Sequence, residues 1–196
     1  MKKFVLTFLF ILFISIVTFF TNHHSSVSTI DDLQKINSQD TLKQSPNEYF
    51  VYFWQQSCTY CQQIKQDVIT YTLKQDTSIY VVNMKNEINH EAWYDWESHH
   101  KKHDIVIGKE ENGIDVLNQD VELAKFEEDT QVNWTFHKNS AGDIIAAHNT
   151  PYANTQPKGA DKIEITGTPT MLYIENGEVA NYAVGVDPVR RLLKTH

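Results

Sequence analysis

The feature that most constrains this chain is a six-residue apolar and aromatic run, Tyr49-Phe-Val-Tyr-Phe-Trp54, followed three residues later by Cys58-Thr59-Tyr60-Cys61. A continuous apolar run of this length is the pattern of a central strand buried on both faces. Beyond the turn, Cys61, Ile64, Val68 and Tyr71 recur at helical spacing, so Cys58 is expected at the start of a helix that packs on the sheet. Ile79-Tyr-Val-Val82 reads as the next strand and completes a β-α-β unit with parallel strands.

The chain has only two cysteines, both in this pair. A bridge between them closes a very small loop, constrains the unfolded chain little and is a poor staple. The pair is better explained by chemistry. At a helix start, unpaired N–H groups and the helix dipole stabilise a thiolate, which is the nucleophile of disulfide exchange. Cys58 is therefore the expected nucleophile and Cys61 the thiol that resolves the mixed disulfide. A zinc site would ask for a second ligand pair. His99 and His103 have suitable spacing, but a solvated helix face is the simpler reading for them.

The N-terminus bears on location. Lys2 and Lys3 precede an uncharged, mostly apolar run over residues 4–20, the form read by export machinery. As a helix it would span about 25 Å, just short of a bilayer core of about 30 Å. Two outcomes fit residues 1–28: a signal peptide cleaved near Ser26-Val27-Ser28, or a retained anchor, which the polar approach over Thr21 to His24 favours. In either case the rest of the chain is expected outside the cytoplasm, secreted or on the outer face of the membrane. The net charge of −8 argues against nucleic acid as a partner, and Lys101-Lys102 reads as part of a solvated helix face.

Elsewhere, residues 29–46 read as a tether and a short amphipathic helix over Asp31 to Gln44, capped by Asp31 or Asp32 and ended by Pro46-Asn47. Glu87 to Lys102 reads as a helix anchored by Ile88, Trp93 and Trp96. Ile105 to Ile107 and Ile114 to Leu117 read as strands paired around Glu111-Asn112-Gly113. Val121 to Glu128 reads as a short helix, Val132 to Phe136 as a strand and Asn149 to Gly159 as a loop. Trp93, Trp96 and Trp134 are expected in the core rather than on a partner surface. Met171 to Ile174 and Val179 to Val184 flank Asn176-Gly177, a strong hairpin signal, and Asp187-Pro188 is a fitting start for a terminal helix.

Phe53-Trp54-x-x-x-Cys58-x-x-Cys61 after a buried strand, Gly167-Thr168-Pro169-Thr170 before the hairpin, and Val184-Gly185 before the last helix together resemble the thioredoxin superfamily. The resemblance covers about residues 47–85 and 163–195. It implies an α/β, thioredoxin-like fold over 47–196: a central mixed sheet flanked by helices, with a large insertion at about 86–162. It also implies that Pro169 is cis and lies against the cysteine pair, and that the backbone at Thr168 pairs with an extended substrate. The implied activity is thiol–disulfide oxidoreduction on exported proteins or peptides, with a membrane redox partner. No cofactor is implied beyond a redox-active Cys58–Cys61 disulfide. The insertion's position resembles the DsbA-like branch and favours the oxidase direction. The alternatives are a reductase, as in cytochrome c maturation, or a non-enzymatic tethered or metal-binding module.

Three positions depart from the family pattern. Ser57 precedes the first cysteine where a tryptophan is common, Thr59-Tyr60 replaces the familiar intervening dipeptides, and Tyr52 stands where a buried carboxylate is usual. Neutral tyrosine is a poor base near pH 7, its ordinary pKa being about 10. By position alone, Glu164 and Asp67 are the candidates to replace it.

Overall fold

The computed structural model describes residues 27–196; the proposed signal peptide or anchor lies almost wholly outside them. Among the described residues, no helix is long and apolar enough to cross a membrane.

Strand β2 (Glu48–Trp54) forms where the aromatic run predicts it, and six of its seven residues are buried. Its alternation divides the core. Phe50, Tyr52 and Trp54 enter one cluster with Cys61, Ile64, Val68 and Leu192. Tyr49, Val51 and Phe53 enter a second cluster on the opposite face with Met84, Ile163 and Ile165. Helix α1 (Thr59–Lys74) packs its apolar stripe on the first face. Strand β3 (Ser78–Asn83) returns parallel to β2. On the other side of β2, the antiparallel hairpin of β8 (Thr170–Glu175) and β9 (Glu178–Val184) completes the sheet. Its turn uses positive φ at Asn176 and Gly177, as the Asn-Gly signal predicts.

The segment 29–46 departs from expectation. No helix spans Asp31 to Gln44; two 3-10 turns, Ile30–Asp32 and Ser38–Asp40, flank a two-residue strand β1 (Gln34–Lys35). That strand pairs parallel with β3, giving the order β1-β3-β2-β8-β9. Ile30 and Leu33 are buried in the main core. This stretch is therefore part of the domain and not a tether. Pairing with an open sheet edge outweighs a helical pattern carried by only Leu33, Ile36 and Leu42.

The insertion forms a second sheet. Strands β4 (Ile105–Glu111), β5 (Ile114–Leu117), β6 (Trp134–Lys138) and β7 (Asp143–His148) are antiparallel in the order β5-β4-β7-β6. A small core of Ile107, Ile144 and Ala146 is closed by Val121, Phe126 and Trp134, Phe126 coming from the short helix α3 (Leu123–Glu127). Gly108 is needed where β4 meets β5, since a Cβ there would lie 2.4 Å from the Val116 carbonyl oxygen. The expected helix over Glu87 to Lys102 is split into a 3-10 segment, Glu87–Ala92, and helix α2 (Trp96–His103). The break follows from pairing: Ile165 N–H donates to Ala92 O and Tyr94 N–H to Ile165 O. Trp93 packs on the second core cluster and Trp134 on the insertion's own core.

Helix α4 (Val186–Thr195) closes the chain against α1. Its cap is Gly185 at φ 89°, so Asp187 and Pro188 fall inside the first turn, not at its boundary. First-turn N–H groups have no helical acceptor, so proline is tolerated there.

Candidate active site

Cys58 is the N-cap of α1, and its sulfur accepts the Cys61 N–H at 3.2 Å. The turn before it is held by Cys58 N–H to Gln55 O and by the Gln62 side chain to Gln56 O. Cys58 is partly exposed, Cys61 is buried, and both are present as thiols. The loop carrying Thr168 and Pro169 lies against them: the Cys58 thiol donates to the Thr168 carbonyl at 3.2 Å, and the Thr168–Pro169 bond is cis. The four candidate residues are thus gathered at one place from positions 110 apart in sequence.

The loop is fixed from both ends. Thr170 Oγ1 donates to Gly167 O, and Gly185 N–H donates to Pro169 O. From the insertion side, Trp96 Nε1 donates to Thr166 O at 3.0 Å, so α2 helps hold the loop that faces the pair.

The two thiols are electrostatically unlike. Partial burial opposes charge on Cys58, but hydrogen bonds from the Cys61 and Thr168 side chains and from the Cys61 and Tyr60 N–H groups outweigh it and lower its pKa. Burial pushes the Cys61 thiol up to about 12, and its hydrogen bond with Cys58 adds to the effect. Such a pair presents one accessible sulfur disposed to ionise and one buried sulfur held as thiol, the asymmetry that sequential exchange requires.

Neither positional candidate for a buried acid serves the pair. Asp67 accepts from Arg190 Nε at 3.2 Å across the α1–α4 contact. Glu164 accepts the Asn154 N–H. Among the described residues, no three or more His, Cys, Asp or Glu side chains are grouped to hold a metal ion.

The histidines of α2 correct the solvated-face reading. His99 is buried, its Nδ1 paired with Tyr94 Oη at 2.8 Å and its Nε2 with His148 Nδ1 at 2.9 Å. His148, also buried, bonds Tyr152 Oη through Nε2, and its N–H donates to Asp104. The rings of His103 and Tyr152 pack on this pair at tilted angles, and His100 binds Asp104. The contact joins α2 to β7 of the insertion sheet, which sequence spacing does not reveal because the partners are 49 residues apart.

Burial lowers the His99 pKa; the His148 carbonyl opposes this, and the charges of His148, His103 and His100 add to it. The folded state therefore holds His99 neutral below the pH at which the unfolded chain, with an ordinary value of about 6.5, takes up a proton. Stability is expected to fall as pH drops through about 6.5, until the folded-state value is passed. Thermal unfolding of wild type and His99→Gln across this range checks it: the variant should show the shallower decline.

Comparison with known proteins places the chain in a family. Residues 37–195 match the family model described as a thioredoxin-like domain. Among solved structures, the chain is similar to thioredoxin f2 of Chlamydomonas reinhardtii, at 12% identity over 83% of this chain and 92% of that one, with a TM-score of 0.39. It is also similar to a thioredoxin of Malassezia sympodialis, at 13% identity over 89% and 97% of the two chains, with a TM-score of 0.35. No curated protein matches it in sequence. The chain belongs to the thioredoxin-like family, whose general chemistry is thiol–disulfide oxidoreduction.

Proposed function

We propose that the protein is an extracytoplasmic thiol–disulfide oxidoreductase that exchanges disulfides with exported proteins through Cys58 and Cys61. The observation that carries this reading is the unlike pair at the start of α1, with the Thr168 carbonyl 3.2 Å from the Cys58 sulfur. In the reducing half-cycle the Cys58 thiolate attacks a substrate disulfide. One substrate sulfur leaves as thiolate and the other remains bonded to Cys58. Cys61 then attacks the Cys58 sulfur, the second substrate sulfur leaves, and two electrons have passed to the substrate. The reverse sequence oxidises a substrate dithiol.

Location outside the cytoplasm rests on Lys2, Lys3 and the apolar run 4–20. The β-sheet insertion removes the likeness to a helical, DsbA-like insertion as an argument for direction. A lowered Cys58 pKa supplies the nucleophile for exchange in either direction; the oxidase direction is the one we propose, and the reduction potential of the pair decides it. A membrane redox partner would then reoxidise the pair.

Cys61→Ser, which lacks the resolving thiol, should accumulate disulfide-linked complexes with exported proteins in cells. These should dissolve on reduction and be missing from Cys58→Ser/Cys61→Ser. A Cys61→Ser variant that traps no thiol-dependent complex, or traps only cytoplasmic proteins, would overturn the proposal.

A further inference from the structure

The loop that faces the cysteine pair runs from Ile165 to Pro169, and each of its carbonyls has a donor. Ile165 O accepts the Tyr94 N–H at 3.1 Å, Thr166 O the Trp96 indole N–H at 3.0 Å, and Gly167 O the Thr170 hydroxyl at 2.6 Å. Thr168 O accepts the Cys58 thiol at 3.2 Å, and Pro169 O the Gly185 N–H at 2.8 Å. The first two donors come from the insertion. Pairing of residues 92–94 with Ile165 stops where the chain turns into α2, because the Trp96 backbone N–H donates to Tyr94 O instead. The Trp96 indole stands in for the next backbone donor and carries the pairing one carbonyl closer to the cysteines. This indole is itself held. Its ring lies edge-on to Tyr94 and His99, at 5.0 and 5.2 Å between centroids, and stacks on His100 at 5.4 Å. His99 in turn is tied to His148 of β7 at 2.9 Å, which anchors the group in the insertion sheet.

We propose that Trp96 is a positioning residue for exchange with protein substrates: through its indole N–H, the insertion holds the loop in the shape an extended chain can pair with. The assignment rests on the exchange reading above. When Cys58 ionises, the Thr168 carbonyl loses its thiol donor and is free to accept an N–H from an extended substrate, as in β-strand addition. The loop is then held by the hydrogen bonds on either side of Thr168, and the one at Thr166 is supplied by Trp96. A loop ordered in advance removes the entropy cost of ordering it from the binding step. The effect is therefore confined to substrates that lie along the loop. A small disulfide without peptide groups meets only the Cys58 sulfur and gains nothing from it.

Reduced full-length wild type, Trp96→Phe and Trp134→Phe are mixed with a disulfide-bonded peptide with extended flanking residues or with hydroxyethyl disulfide, and the loss of protein thiols is timed. Phenylalanine at position 96 keeps a ring among Tyr94, His99 and His100 but has no N–H to offer Thr166. Trp134→Phe is the matched control, since that indole donates to Asp129 within the insertion, at 3.1 Å, and not to the loop. Trp96→Phe should react with the peptide roughly two- to tenfold more slowly than wild type, the range for one neutral hydrogen bond. The loss should come from a higher half-saturating peptide concentration, with the maximal rate kept. Its rate with hydroxyethyl disulfide should match wild type, and Trp134→Phe should match wild type with both. An unchanged peptide rate in Trp96→Phe, equal slowing with both disulfides, or the same selective slowing in Trp134→Phe would overturn the assignment. A wild type that reacts with neither disulfide would overturn the exchange reading along with it.

Discussion

Cys58→Ser is expected to reduce disulfide exchange by roughly a thousandfold or more, to the level of solution thiols, with the fold retained. Serine is a favoured N-cap, so the first turn of α1 keeps an acceptor for the Cys61 N–H. What disappears is the only accessible, readily ionised sulfur in the chain. Cys61 cannot substitute for it, being buried and with its pKa raised to about 12. Insulin reduction or refolding of a reduced model protein gives the rate, and circular dichroism the fold. Substantial activity in the folded variant would show that the work is done elsewhere.

The second large effect is on stability. Phe50→Ala should lower it by about 3–5 kcal/mol, the usual range for removing a fully buried phenylalanine. Phe50 has no exposed surface and meets Tyr71 of α1 edge-on at 5.3 Å and Tyr173 of β8 at 5.1 Å between ring centroids. The cavity thus opens between helix and sheet, where three elements would have to move together to fill it. Urea unfolding should show a lower midpoint with little change in slope. A loss below about 1 kcal/mol would mean that this interface repacks freely.

The parts of the fold legible in the sequence are those in which local pattern and tertiary role agree. The aromatic run, the cysteine pair and the Asn176-Gly177 turn each place their elements. Two of the failures share a cause: a partner far along the chain decides the local structure. Asp31 to Gln44 has weak helical spacing, and the edge of β3 captures Gln34-Lys35 as strand instead. Pairing of residues 92–94 with Ile165 breaks the helix expected over Glu87 to Lys102. Strand β7 carries little sequence signal because its Ile144-Ile-Ala-Ala147 core is short and half alanine, a weak strand former.

The site divides in the same way. Cys58 and Cys61 are legible from their motif and spacing, Thr168 and Pro169 only through the family resemblance, and the four meet in space. The buried His99–His148 contact was not found, since a histidine four residues from another on a helix is ordinarily solvated. Its burial depends on strand β7, whose own sequence signal is weak. Tyr52 is legible as a departure from the family pattern, but not as a fully buried member of the core beside α1.

Under the proposed function, Cys58 and Cys61 form a reversible redox pair that oxidises its substrates. Equilibrating the full chain with reduced and oxidised glutathione, and counting free thiols after acid quench and alkylation, tests both halves together. The expected result is a single two-electron transition between dithiol and Cys58–Cys61 disulfide, at a potential clearly less reducing than the thioredoxin value of about −270 mV. A pair that never closes would contradict the oxidoreductase reading, and a midpoint at or below about −270 mV would contradict the oxidase direction.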